Sequence, residues 1–326
     1  MDLDVVFLGT SASAPTARRG TASLLVRRGG DRLLFDCGEG TQRQLLRSSI
    51  GLIDLEEVYV THFHADHYLG LPGMLKTFSL RARDVPLTVY GPPGLRDLFS
   101  TLTRIVGKVT YPLELVELAP GAVLPRDGYE ICVFPVEHGV PAVGYALVEA
   151  ERPGRFDDGV ANELGVPFGP ERGVLQRGEP VTLADGRTIR PDQLVGEPRP
   201  GRTIVYSGDG RPAEAVPVLF QGADLLIHEA TFAAEDRDRA VETEHSTALE
   251  AGEVARDADV LLLALTHVSP RYLGSELVRE AGAAFPATVL PRDFDVIEVP
   301  FRERGEPSLV RGGARAERPR EETPAT

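Results

Sequence analysis

Thr61-His62-Phe63-His64-Ala65-Asp66-His67 places four side chains of metal-ligand type, His62, His64, Asp66 and His67, within six consecutive residues. Imidazole nitrogens and carboxylate oxygens are donors that Zn²⁺ accepts at about 2.0–2.2 Å, and four of them this close together can surround a metal pair. A histidine-rich surface loop is the plainer reading of such a run. The other histidines bear on the choice: the chain has seven, and the remaining four are His138, His228, His245 and His267. Three of these end apolar, strand-like runs (VFPVEH, LLIH and LLLALTH), and His245 opens a helical pattern in EHSTA. Strand ends are where α/β sheets carry binding and catalytic groups. That placement argues for His138 and His267 as further ligands, whereas His228 is equally well read as a core histidine. Asp209, in YSGDGRP, also follows a β run. Its two carboxylate oxygens can bridge two metals, although an aspartate between glycines also suits an ordinary turn.

The elements that must position these groups alternate in the first third of the chain. Residues 4–10, 22–28 and 32–37 read as strands, the last two joined across Gly29-Gly30 as a hairpin. A helix over about 40–49 follows, then a buried strand at 57–61, a helix at 69–82, a strand at 87–90 and a helix at 93–105. From 114 to 148 the runs ELVEL, YEICVF and VGYALV come in succession, which predicts antiparallel pairing. Residues 151–202 are so rich in Gly, Pro and charge that they predict an excursion without an apolar core of its own. Strands at 202–209, DLLIHEA, VLLLALTH and 293–300 then alternate with helices at 212–220, 246–256 and 274–284. The expected organisation is one α/β domain over 1–302, carrying the insertion 151–202 and followed by a disordered tail at 303–326.

Composition sets limits on function. The 326 residues are 42% hydrophobic and 26% charged, and no apolar run approaches the roughly 18 residues of a membrane helix. The acidic start MDLDVVFLGT predicts no secretory signal. Only Cys37 and Cys132 are present, each in an apolar run, which suits buried thiols in a reducing, cytoplasmic setting. A net charge of −14 opposes a protein that coats nucleic acid by bulk electrostatics, so any nucleic-acid contact must be local.

The ligand-type residues, read with the segments around them, resemble the metallo-β-lactamase superfamily and, within it, ribonuclease Z. The resemblance runs from FLGTSASAP to LTHVSPRY through LLFDCGEGTQRQL, THFHADHYLGLPG, VPAVGYAL, YSGDGRP, LLIHEATF and EHSTA. It implies an αββα sandwich in which His62, His64 and His138 hold one zinc, Asp66, His67 and His267 hold a second, and Asp209 bridges them. It further implies that Asp66 takes a proton from the attacking water. His245 would then act near the leaving group, with Glu229 orienting it. The implied activity is a zinc-dependent endonuclease that removes the 3′ trailer from precursor tRNA, commonly as a homodimer. Residues 151–202 resemble the family's flexible arm, an exosite for tRNA; they hold eight Arg against nine Asp plus Glu, near neutrality in an acidic chain. The sequence departs from the family pattern at Arg172, where an aromatic is usual, and at Gly210, where threonine is usual.

Other readings attach to the same residues. GEGTQRQ is either a turn whose glycines serve backbone geometry or a helix start suited to a phosphate. Arg18, Arg19, Arg43 and Arg47 either track substrate backbone or are solvated surface charges. A hydrolase of this fold acting on a small phosphodiester would keep the ligands and have no use for 151–202. A non-catalytic RNA-binding scaffold would have lost ligands, and none is missing here.

Overall fold

Apolar runs covered on both faces make the centre of the molecule. The computed structural model describes residues 1–52 and 55–314. Its first strands are β1 (Leu3–Gly9), β2 (Ser23–Arg28), β3 (Asp31–Phe35), β4 (Glu57–Tyr59), β5 (Leu87–Gly91) and β6 (Leu113–Glu117). Next come β7 (Val123–Arg126), β8 (Tyr129–Pro135), β9 (Val143–Glu149), and the short β10 (Val181–Thr182) and β11 (Thr188–Ile189). The chain continues with β12 (Thr203–Tyr206), β13 (Leu225–Glu229), β14 (Leu262–Thr266), β15 (Thr288–Val289), β16 (Val296–Glu298) and β17 (Ser308–Val310). An eight-stranded sheet has the order β17-β16-β1-β2-β3-β4-β5-β6, and a seven-stranded sheet the order β15-β14-β13-β12-β9-β8-β7. In the first sheet β3 to β6 run parallel, while β1, β2, β16 and β17 pair antiparallel. In the second, β12 to β15 run parallel. Every residue of β13 and β14 is buried, as strands covered on both faces require.

Helices close the outer faces. Thr41–Arg47, Gly70–Leu80 and Leu95–Val106 pack Leu45, Met74, Phe78 and Phe99 against Val6, Leu34, Val58 and Val89 of the first sheet. The second sheet is covered by Ala248–Asp257, which contacts β13 and β14, and by Gly274–Ala284 packed beside it. Thr247 and Glu250 start the former helix with a reciprocal capping box. Between the sheets lies a layer of aromatic rings. Phe35 and Tyr59 of the first sheet meet Tyr145 of the second at centroid distances of 5.7 and 5.4 Å, and Tyr145 Oη donates to Val60 O at 2.9 Å. The result is an αββα sandwich.

Three expectations need correction. ELVEL does not join an antiparallel set: as β6 it is the parallel edge of the first sheet, and its alternating Glu and Leu reflect a half-solvated edge. The tail is not disordered from 303, because Ser308–Val310 adds to the first sheet with Leu309 opposite Ile297; residues 315–326 lie outside the described residues. The insertion does build a core, formed by buried Ala161, Val166, Leu175, Ile189 and Leu194. Composition averaged those apolar residues with the turns that bring them together.

The chain divides into two units, the smaller made of Arg126–Glu130 and Val148–Arg202. Within that smaller unit, buried Glu149 and Arg202 form a two-pronged ion pair at 2.7 and 2.8 Å. The two legs then run as a ladder: Arg152 and Arg199 exchange backbone hydrogen bonds, and Gly196 N donates to Arg155 O. A Cβ at Gly154 would lie 1.8 Å from Gly196 O, so the legs approach too closely for any other residue. Arg172, where the family favours an aromatic, donates to Asp158 and Asn162 at 2.5 Å each and lies 4.9 Å over the Phe168 ring. It ties the helix Pro170–Gln176 to the helix Asp158–Glu163.

Candidate metal centre and active site

The first ligand-type run begins just past the C-terminal end of β4, an inner strand, and turns into the short helix Ala65–Tyr68 that carries Asp66 and His67. His138 follows β8, Asp209 follows β12, Glu229 ends β13 and His267 follows β14 directly. His245 precedes the capped helix at Ala248. All of these lie in the larger unit. Ring and carboxylate atoms of His62, His64 and His138 form one group whose members lie within 4.8 Å of one another; Asp66, His67, Asp209 and His267 form a second. Asp209 Oδ2 stands 3.0 Å from Nε2 of both His67 and His267, and 3.9 Å from His62 Nε2. It therefore sits between the groups.

Hydrogen bonds on the far side of each ring decide which nitrogen faces the cluster. His67 Nδ1 donates to Asp36 Oδ2 at 2.8 Å, and His138 Nδ1 to Glu244 O at 2.9 Å. Thr61 Oγ1 gives its hydrogen to Asp36 and so accepts from His62 Nδ1 at 3.0 Å. His267 Nδ1 lies 2.8 Å from Thr231 Oγ1. With Nδ1 tied, each of these rings turns an Nε2 lone pair inward, and His64 presents Nδ1, 3.1 Å from His138 Nε2. His62 Nε2 is buried without any hydrogen-bond partner. Burial, reinforced by the neighbouring imidazoles, holds the His62 ring well below the ordinary histidine range and therefore neutral.

The electrostatics fit cations. Lone pairs of Nε2 and a carboxylate oxygen at 3.0 Å repel unless a positive charge lies between them. Against burial, Asp209 and Asp36 raise His67 well above its usual range; likewise His267 and His67 hold Asp209 well below the carboxylate range. Burial opposes ionisation of Asp66 as well, but the His267 and His67 rings beside it bring it down to about 2. Nitrogen and carboxylate donors in this number are those that zinc-type metals take.

His245 stands at the rim. Its Nδ1 lies 2.8 Å from Glu229 Oε1, and its ring stacks on His267 at 5.5 Å and meets His138 at 5.1 Å. Burial works against its protonation, yet the Glu229 carboxylate pushes it up to about 9. Glu229, wholly buried, is also satisfied by Gly210 N at 2.7 Å and by Thr231 Oγ1 at 2.6 Å.

With this geometry in place, comparison with known proteins is informative. Residues 3–102, under a third of the chain, match the family model described as anti-Pycsar protein Apyc1. The ribonuclease Z of Natronomonas pharaonis is 48% identical over 309 residues, covering 92% of this chain and 99% of that protein. The chain belongs to the ribonuclease Z family. Among solved structures, the human short-form tRNase Z is similar at a TM-score of 0.65 and 28% identity, over 91% of this chain and 99% of that one. The metallo-β-lactamase fold protein YhfI from Bacillus subtilis aligns at a TM-score of 0.68 and 21% identity, over 92% of this chain and all of that one, and the αββα sandwich is that fold.

Several residues of this family member hold the site together without having stood out in the sequence. Ser13 N donates to Asp66 Oδ2 at 2.8 Å. Asp36, buried at φ 57°, accepts from Thr61 N, Thr61 Oγ1, His67 Nδ1 and Tyr206 Oη. An aspartate closing the apolar run LLF was the available signal. Asp36→Asn turns an amide NH₂ toward donors, and metal affinity is expected to fall about 10–100-fold, read by chelator competition; unchanged affinity would show that His67 needs no such support. His228, by contrast, is a core residue: Nδ1 donates to Glu229 O and Nε2 accepts from Ala213 N. In GEGTQRQ, a Cβ at Gly38 would meet Asp66 O at 2.2 Å, so this glycine serves backbone approach. Arg19, half-buried, donates to Pro291 O; Arg18, Arg43 and Arg47 are exposed, and Arg47 lies over Phe294. At Gly210 a Cβ would lie 2.4 Å from Val136 Cγ1 and 2.6 Å from Glu137 O, which leaves no room for the family's usual threonine.

Proposed function

We propose that this chain is a two-zinc endoribonuclease that removes the 3′ trailer from precursor tRNA by hydrolysis, leaving a 3′-hydroxyl on the tRNA. The observation that carries the reading is His245, whose Nδ1 is held by Glu229 Oε1 at 2.8 Å beside the seven-residue cluster, which leaves Nε2 free to serve either as a proton donor or as a further metal-facing nitrogen; we assign it the first role. His62, His64 and His138, with Asp66, His67 and His267 and with Asp209 between the two sets, would hold zinc, which when bound would supply the Lewis acidity that acidifies water and neutralises charge on the phosphate. Asp66 orients the attacking water and takes its proton. Its Oδ2 is engaged by Ser13 N and faces His267, so Oδ1 is the oxygen for that proton. His245, with Nδ1 on Glu229, gives a proton from Nε2 to the departing 3′ oxygen.

Incubation with a precursor tRNA bearing a 3′ trailer, with and without chelator, tests the reading. A single chelator-sensitive cut at the discriminator base is expected, and absence of that cut from metal-replete protein would overturn it. The small-phosphodiester reading is separated by the insertion, which we assign to tRNA binding. Because Arg152 and Arg199 already pair, residues 153–198 can be replaced by an Asn-Gly turn. The shortened chain should hydrolyse a chromogenic diester at the parental rate while KM for precursor tRNA rises about 100-fold or more, a loss of about 3 kcal/mol of binding. Equal KM for tRNA would remove the arm from recognition.

Two further features complete the proposal. Among the described residues no helix is long and apolar enough to cross a membrane, and both cysteines are free thiols, Cys37 buried and Cys132 half-buried. Free thiols support a cytoplasmic location. A homodimer, expected by resemblance to the family, is checked by light scattering.

A further inference from the structure

Thr231, two residues after Glu229, carries a hydroxyl with one hydrogen to give and two demanding neighbours. Its Oγ1 lies 2.6 Å from Glu229 Oε2 and 2.8 Å from His267 Nδ1. The His267 carbonyl, at 3.2 Å, is a second acceptor, but the ionised carboxylate at 2.6 Å is nearer and charged, so the hydroxyl hydrogen goes to Glu229 and His267 Nδ1 must donate to Oγ1. That direction forces the His267 lone pair onto Nε2, the nitrogen that faces Asp66 at 3.2 Å and Asp209 at 3.0 Å. On its other oxygen Glu229 takes His245 Nδ1 at 2.8 Å. One buried carboxylate thus stands between a metal-facing ring and the rim histidine, and Thr231, itself 5% exposed, hydrogen-bonds to both Glu229 and His267.

We propose that Thr231 is a positioning residue whose hydroxyl fixes the His267 tautomer for metal binding and, through the same hydrogen, locks the Glu229 carboxylate that aims His245. The second half rests on His245 being the proton donor proposed above; the first half does not. A hydroxyl that merely satisfied buried polar atoms would lower stability and leave metal affinity and kcat alone.

Thr231→Val is nearly isosteric and removes only the hydroxyl, whereas Thr231→Ser keeps it. Zinc affinity by competition with a chromogenic chelator, and precursor tRNA cleavage at saturating zinc, are measured on both, alone and combined with His245→Ala. Thr231→Val is expected to weaken zinc binding about 10–100-fold and to lower kcat about tenfold with KM unchanged, as loss of a ligand's outer support does. Thr231→Ser should restore both. In the His245→Ala background, Thr231→Val should keep its zinc defect yet cost no further kcat. Parental zinc affinity in Thr231→Val, or a full additional loss of kcat beside His245→Ala, would overturn the proposal. Should Thr231→Val fail to fold by circular dichroism, Thr231→Ala carries the same expectations. If the parent cuts no precursor tRNA, the functional reading falls, while the zinc measurement still decides the His267 half.

Discussion

Asp209→Ala is expected to release both metals together and to abolish cleavage. Asp209 Oδ2 is the atom shared between the two ligand groups, 3.0 Å from His67 and His267 and 3.9 Å from His62. Without it, the first group keeps three imidazoles and the second keeps Asp66, His67 and His267, but nothing bridges them. The buried imidazoles would also face one another without an intervening anion. Removing several kcal/mol of charge stabilisation from the reaction corresponds to a loss of about 10³–10⁵-fold. Metal content by mass spectrometry, taken beside the cleavage rate, checks this. A variant with full metal content would show that Asp209 is a turn residue after all.

For His245→Ala the expectation is the opposite pairing of results: metal content as in the parent, and precursor tRNA cleavage lower by about 10²–10⁴-fold, the usual worth of a positioned general acid. His245 meets the cluster through ring contacts with His138 and His267 and through Glu229, so its side chain can be removed with the other seven residues in place. A chromogenic diester, whose leaving group departs without a proton, should be cut at nearly the parental rate. Loss of zinc in this variant would refute the role given to His245.

The residues that cluster were legible in sequence because metal chemistry restricts residue type and because strand ends recur as positions for function. His62, His64, His138 and the second group could be named from those two facts and from family motifs. The groups behind them were harder to see. Asp36 and Thr231 act through hydrogen-bond direction, which depends on where a ring turns its Nδ1, and one-dimensional spacing carries no such information. The fold divided in a similar way. The fully buried β13 and β14 read clearly, whereas ELVEL misled because an alternating pattern marks an edge strand as readily as an antiparallel one. The core of the insertion escaped notice because Ala161, Val166, Leu175, Ile189 and Leu194 are too far apart to form any period.

Ser308–Val310 closes the flank of β16, whose backbone would otherwise stand unpaired on that side. A version trimmed to its motif-bearing part, ending near residue 302, would retain every metal-facing side chain yet bare the amides and carbonyls around Val296 and Ile297. Naked rims of that sort recruit strands from neighbouring molecules. The closing stretch therefore covers an edge that would otherwise be open to the addition of a foreign strand.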